Sequence, residues 1–596
     1  MYHAPGRVVL AVDVLRIDIS RRRFVQGAAG GALLVAGAPL CWSDTAVDAA
    51  SPAAPAAASE LSGTFFDLSI GSLAVNFTGA WRRATAVNRQ VPGPLLRWRE
   101  GDTISLRVTN HLPVSSSIHW HGVLVPADMD GVPGLSFAGI APGQSYLYRF
   151  RVRQSGTYWY HSHSGFQEQT GLHGPILIEP RAGERHPTER DYVVMLADWT
   201  DANPEHIYTT LKRDSDYYDY HRRSVVDFFA EARTRGLGSA VRDWGMWGRM
   251  RMDPTDLADV AGYTYLMNGH TPAANWTAVF DPGQSVRLRF INGSAMSFFD
   301  IRIPGLVLTV VAADGQDVEP VTVDELRIGT AEVYDVIVRP KADRAYTIFA
   351  QSMDRSGYAR GTLAPRAGLQ AEVPPLDPRP ILTMADIGMG AGMANMPNMP
   401  DMPDMPGMPS APKQRAVARP AATAAAAMAS MHGPGIDMRV AAPWSGLNDP
   451  GIGLRHNGRR VLTYADLHTL GGPIDGRGPG REIELHLTGN MHRYMWSFNG
   501  LKFSQAQPLR FTAGERLRLV LINDTMMTHP IHLHGMWSEV EAVDGHFQVR
   551  KHTVVVQPAQ RISYLVSADA LGRWAYHCHL LYHMKAGMFR EVIVGS

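Results

Sequence analysis

The chain has 596 residues, enough for three or four domains with separate cores at about 150 residues each. Its 57 Lys+Arg and 56 Asp+Glu nearly cancel, which argues against the broad basic field of a nucleic-acid partner or of attachment to an anionic membrane. Two cysteines, Cys41 and Cys578, exclude a disulfide scaffold, so any specificity must come from local sites.

The N-terminal segment reads as an export signal. Residues 20–27 are "SRRRFVQG", followed by the mildly apolar "AAGGALLVAGAPL" and an Ala-rich stretch ending in "APAAASELSG". A basic pair, a Phe two residues on, a weak apolar region and small residues at the end are the order of a twin-arginine signal. Cleavage is expected after Ala58, so residues 1–58 are the signal, and Leu40 before Cys41 argues against a lipoprotein signal. Removal of Cys41 leaves Cys578 as the one thiol. No other run of 18 apolar residues occurs, so the mature chain is expected in the periplasm, without a transmembrane segment, delivered folded by the twin-arginine export machinery.

Residues 59–182 alternate short apolar runs with turn residues, as in "FDLSIGSLAVNF", "TISLRVTN" and "GPILIEP", the pattern of an antiparallel β-sandwich. Residues 183–372 repeat it with "DYVVMLADW", "SVRLRFING" and "VYDVIVRP", and residues 443–596 with "REIELHLTGN", "ERLRLVLIND" and "FREVIVG". The segments "GDTISLRVTN", "GQSVRLRFING" and "GERLRLVLIND" share one skeleton of turn, strand and Asn. An all-β chain of three related sandwiches follows. Residues 203–261 are polar and helix-tolerant and read as a helical insertion in the second set; their Tyr217, Tyr218 and Tyr220 suit either a site lining or a solvated helical face. Residues 373–442, rich in Pro, Met and Ala, read as a linker or long loop.

That linker holds "MANMPNMPDMPDMPGMP", with Met393, Met396, Met399, Met402, Met405 and Met408 at every third position. So much proline excludes helix, ladder strand and packed core. A polyproline II helix has three residues per turn and would place these thioethers along one edge about 9 Å apart. A row of weak Cu(I) stations and a solvated low-complexity linker both fit.

Histidine carries the chemistry. Random placement of 24 histidines would give about one His-x-His pair, yet there are four: His119/His121 in "HWHG", His161/His163 in "HSH", His532/His534 in "HPIHLHG" and His577/His579 in "HCH". On a strand both members of a pair share one face, so they can grip metal together while Trp120 or Cys578 points the other way. Two pairs lie in the first sandwich and two in the third, and together they exceed one tetrahedral zinc site. In "HCHLLYHMKAGM", His583 stands five residues after Cys578 and Met588 ten after, with His529 upstream. Two imidazoles, a thiolate and a weak thioether are the ligands of a blue-copper site.

These four motifs, in this order over nearly the whole mature length, resemble those of the multicopper oxidase family of the three-cupredoxin-domain, laccase-like type. With the Met-rich insert, "MHRYMWSFNG" and the twin-arginine signal, the chain is most similar to bacterial CopA-type copper-resistance oxidases. The resemblance implies three cupredoxin-like Greek-key sandwiches and four copper ions. Type 1 copper would take His529, Cys578, His583 and axial Met588; type 2 copper, His119 and His532; the type 3 pair, His121, His161, His163, His534, His577 and His579. Asp130, in "MDGVPG", matches an acid beside the family's cluster. Some copper-exporting relatives carry Glu directly after the last type 1 histidine; here Met584 follows His583, so proton delivery rests elsewhere.

The implied reaction passes electrons singly through Cys578 to the cluster, where dioxygen becomes two waters. The expected substrates are Cu(I) and dioxygen, with copper resistance as the outcome. A phenol oxidase and a copper-sequestering protein are the alternatives, whereas a two-domain nitrite-reductase-like reading fails on length and on "HCH". Met491, Met495, Met536 and Met584 are candidates to bind substrate copper near the type 1 site, beside a plain packing role.

Overall fold

The computed structural model describes residues 59–250, 252–389 and 435–595. The expected six Met positions of the Pro-rich run, the export signal and its cleavage site lie outside those residues. Six sheets form three sandwiches. The first pairs a five-stranded with a four-stranded sheet, and the second and third each pair a six-stranded with a five-stranded sheet. In the first sandwich the apolar faces of both sheets close on one core that includes Leu68, Trp98, Leu106, Tyr148 and Ile176, as alternation with one wet face requires.

The shared skeleton seen in the sequence has a structural counterpart. Each sandwich sets an early strand parallel to the skeleton strand: Phe65–Val75 with Thr103–Asn110, Arg190–Trp199 with Val286–Asn292, and Arg481–Asn490 with Arg516–Asn523. The closing Asn is fully buried in all three and makes the same clamp. Asn110 Nδ2 donates to the carbonyls of Val114 (2.8 Å) and Ile140 (2.7 Å). Asn292 does so to Ser297 (2.8 Å) and Ile328 (3.2 Å), and Asn523 to Met527 (2.7 Å) and Val556 (3.1 Å). Each Oδ1 accepts the N–H two residues on, so one amide side chain satisfies a buried strand exit that no ladder reaches.

Residues 203–261 contain the helices Pro204–Leu211, Val225–Arg235 and Leu237–Met250. Asn203 caps the first, its side chain accepting from Glu205 N–H with Pro204 next in line, and Ser224 with Asp227 forms a capping box on the second. Tyr217 and Tyr220 are exposed and Tyr218 is buried. Part of the segment read as a linker is packed. Leu382 and Ile387 are buried, Leu382 N–H donates to the Pro254 carbonyl at 2.9 Å, and Asp377 pairs with Arg302 at 3.2 Å. Proline removes a ladder donor, not the ability to pack against a core. Among the described residues no helix is long and apolar enough to cross a membrane.

Candidate metal centre

The strands bring the four pairs together. His119–His121 lies antiparallel to Gly156–His161, with His119 opposite His161. In the third sandwich His529–Leu533 lies against Gly572–Cys578, with His532 opposite His577 and Ile531 opposite Cys578. His163, His534 and His579 fall just past their strand ends, yet their rings still meet the others. Ring nitrogens of His121, His161 and His579 lie within 4.8 Å of one another, as do those of His163, His534 and His577. His161 and His579 face each other Nε2 to Nε2 at 3.3 Å, and His534 and His577 at 3.1 Å. All eight rings are buried or nearly so.

Most rings are tethered at one nitrogen so that the other is free. His119 Nδ1 lies 2.8 Å from the Asp130 carbonyl and His532 Nδ1 2.6 Å from that of His552, while Nε2 of both rings is buried without a partner. His534 Nδ1 meets Asp130 Oδ2 at 2.9 Å and His577 Nδ1 the Cys578 carbonyl at 2.9 Å. His161 Nδ1 meets Glu168 Oε2 at 2.8 Å. An N–H donated outward fixes the tautomer and aims the second lone pair inward. Asp130 reaches two of these rings because its chain doubles back under the first pair. Gly131, at φ +80°, has room for no side chain there: a Cβ would lie 1.8 Å from the Ile118 carbonyl oxygen.

Burial, with neighbouring imidazoles second, holds His121, His161, His163, His532, His534 and His579 well below the ordinary histidine range, and it lowers His577 to about 4. Neutral rings are the form that binds a metal. Burial also pushes the Glu168 carboxyl well above its ordinary range, with Asp198 adding to the effect.

Behind the cluster, Cys578 Sγ lies 3.6 Å from His529 Nδ1 and 3.8 Å from His583 Nδ1, and those two nitrogens are 3.2 Å apart. Their far nitrogens are tied down: His529 Nε2 to Thr525 Oγ1 at 2.8 Å, and His583 Nε2 to Asp259 Oδ2 at 2.7 Å. Trp496 stacks on the His583 ring at 3.9 Å. Cys578 N–H donates to the Met588 carbonyl at 3.1 Å, which ties the backbone of fully buried Met588 to that of Cys578. Burial raises the Cys578 thiol well above its ordinary range, so only a metal or another cation would hold it as thiolate. Unpartnered inward nitrogens in one group, and two imidazoles with a thiol in the other, are a donor set that suits copper.

Some of the chemistry was hidden from the sequence. Asp259 comes from the end of the helical insertion, and its carboxylate also accepts from Tyr494 OH at 2.6 Å. Its Oδ1 is buried without a partner, and the residue lines a small pocket with Met296, Met353, Met527 and Asp354. Of the anticipated methionines, Met491 is buried in the core and Met584 packs at its edge, Met495 opens the strand Met495–Phe498 that also carries Trp496, and Met536 lines a cavity beside His119, His532 and His534. Acids and thioethers contributed by distant segments leave no local spacing to read.

Three family models described as "Multicopper oxidase" match residues 70–183, 190–368 and 477–596. The chain is 58% identical to Copper resistance protein A of Escherichia coli, over 97% of this chain and 99% of that protein. It is 30% identical to Multicopper oxidase MmcO of Mycobacterium tuberculosis, over 91% and 89%. Among solved structures, the multicopper oxidase Fet3p superposes with a TM-score of 0.62 at 19% identity, covering 90% of each chain. The Botrytis aclada laccase gives 0.58 at 20% identity, covering 93% of this chain and 91% of that one. The chain belongs to the multicopper oxidase family and is an oxidoreductase whose cofactor is copper.

Proposed function

We propose that the chain is a periplasmic cuprous oxidase that confers copper resistance: four Cu(I) and one dioxygen, with four protons, become four Cu(II) and two waters. In this reading His529, Cys578, His583 and Met588 hold type 1 copper, and His119 with His532 holds type 2 copper. His121, His161 and His579 hold one type 3 copper, and His163, His534 and His577 the other. Bound copper supplies one-electron transfer at the first site and dioxygen reduction at the cluster. Cys578 supplies the bonded path between them, because its sulfur faces one site while the rings of its neighbours His577 and His579 belong to the other.

The observation that carries the substrate is the pocket beside Asp259. Thioethers select Cu(I) over harder ions, and Met296, Met353 and Met527 meet there with two carboxylates. Asp259 joins this pocket to the His583 ring through its second oxygen. The relatives named for copper resistance agree with that chemistry. The six methionines from Met393 to Met408 would gather Cu(I) upstream, and their deletion is expected to slow Cu(I) turnover without removing it. Export through the twin-arginine route is tested by changing Arg21 and Arg22 to Lys, which should strand the chain in the cytoplasm. The reaction itself is tested by oxygen uptake with Cu(I) as sole reductant, and uptake with a phenol but none with Cu(I) above autoxidation would favour the phenol oxidase instead.

A further inference from the structure

His552 is a ninth buried imidazole beside the eight, and no His-x-His spacing announces it. It stands at the start of the strand Thr553–Val556, which pairs Thr553 with His532, and its ligand nitrogen lies within 4.8 Å of those of His121 and His532.

His121 is oriented unlike most of its neighbours, sharing with His579 an Nδ1 that is buried without a partner. Five of the other rings, His119, His161, His532, His534 and His577, have Nδ1 tied to an oxygen. In His121 it is Nδ1 that is buried without a partner. Its Nε2 lies 3.2 Å from His552 Nδ1 and 3.2 Å from Thr553 Oγ1. A neutral imidazole has one N–H and one lone pair. For Nδ1 to offer its lone pair inward, the proton must sit on Nε2 and be donated to an acceptor, and His552 Nδ1 is placed to accept it.

The surroundings hold His552 in that pose. Its backbone N–H donates to Asp314 Oδ2 at 3.0 Å, and its carbonyl accepts from His532 Nδ1 at 2.6 Å; the ring Nδ1 also lies 3.1 Å from Thr553 Oγ1, which can donate to it, and 3.5 Å from Asp314 Oδ2. Trp537 stacks near its ring, with centroids 6.3 Å apart. Gly122, the residue after the first pair, gives the ring its space: a Cβ there would lie 2.4 Å from His552 Cδ2. With Nδ1 accepting, the His552 proton sits on Nε2, which is buried without a partner, and His552 lines a cavity with His119, His532, His534 and Met536.

We propose that His552 is a positioning residue that selects Nδ1 of His121, rather than Nε2, as the copper ligand of the His121, His161 and His579 group. The inference rests on the copper-centre reading above. Outer partners of this kind are worth about 10- to 100-fold in metal affinity, so their removal is measurable without turnover.

The test uses copper-loaded protein. His552→Leu cannot accept from His121; His552→Gln can, through its side-chain carbonyl. Copper per chain is measured after dialysis against graded chelator, with EPR of the oxidised protein and the blue absorbance of the Cys578 site recorded alongside. His552→Leu should lose cluster copper at about 10- to 100-fold lower chelator and show an altered EPR spectrum, with the blue absorbance kept. His552→Gln should stay within a few-fold of wild type. A Leu variant with wild-type retention and EPR, or a Gln variant as defective as Leu, would overturn the proposal. In the wild type, ring-15N NMR of the fully reduced, copper-loaded protein should find His121 protonated at Nε2; a metal-bound Nε2 overturns the proposal whether or not the variants fold. A wild-type chain that takes up no copper at these histidines would instead end the copper-centre reading itself.

Discussion

A buried imidazole whose Nδ1 is tied to a carbonyl has one nitrogen left to offer, and the fold imposes this on His119, His532 and His577. The same burial gives the metal-free protein a pH dependence. His577 is lowered from 6.5 to about 4, and several neighbours are lowered well below 6.5. The unfolded chain therefore takes up protons first as pH falls. Stability should be complete above about pH 6.5 and decline toward pH 4, by up to about 1.4 kcal/mol per pH unit for each such ring. Thermal unfolding of the metal-free protein at pH 7.5 and 5 checks this, and an unchanged midpoint would contradict it. Asp259 gives a second prediction. Asp259→Ala should leave the protein blue but lower Cu(I)-dependent kcat/KM by about 10- to 100-fold, read from steady-state oxygen uptake. The His-x-His pairs were legible because period-two spacing is local. Asp259 and His552 were not, because each meets its histidine from a segment far away in sequence; Glu168 stands close to His161 in the chain but at no spacing that marks it as a partner.

At the scale of the element, the repeated Asn separates folding from colour. Replacing Asn523 by Ala removes the Nδ2 donor of the Met527 and Val556 carbonyls, leaving Met527 only Thr525 Oγ1 at 3.2 Å, at about 1–3 kcal/mol for a buried group left unpaired. It also loosens the turn that leads from Thr525 to His529. Asn110→Ala makes the corresponding loss in the first sandwich, far in sequence from Cys578. Both should lower the denaturation midpoint of the copper-loaded protein, and only Asn523→Ala should shift its blue absorbance. Equal spectra in the two variants would mean that the clamp does not set His529. The skeleton of turn, strand and Asn was readable before any coordinates, and the strands fall where the alternation placed them. Their parallel pairing was not readable, because register between segments far apart is set by packing across the sandwich and not by local pattern. Composition likewise flagged residues 373–442 as a linker or long loop, and could not show that Leu382 and Ile387 within it are buried.

Across the whole molecule, the first and third sandwiches supply the histidines, and the second holds them in register. Lys551, next to His552, is fully buried between Asp314 (3.2 Å) and Glu332 (2.9 Å) of the second sandwich. Burial alone would lower its pKa, but those carboxylates more than offset this and keep it charged. Lys551→Met would strand two buried acids, and a loss of about 3–5 kcal/mol is expected in denaturant unfolding. A change within experimental error would show that the pair does not hold the sandwiches together. Above all, the assembled centres are defined by what they oxidise. The direct measurement is anaerobic mixing of copper-loaded protein with excess Cu(I), followed by a known amount of oxygen, counting both. The account predicts four Cu(I) consumed per dioxygen without free peroxide, and slower consumption in a variant with Met296, Met353 and Met527 changed to Leu. Consumption no faster than without protein, or a rate indifferent to those methionines, would contradict it.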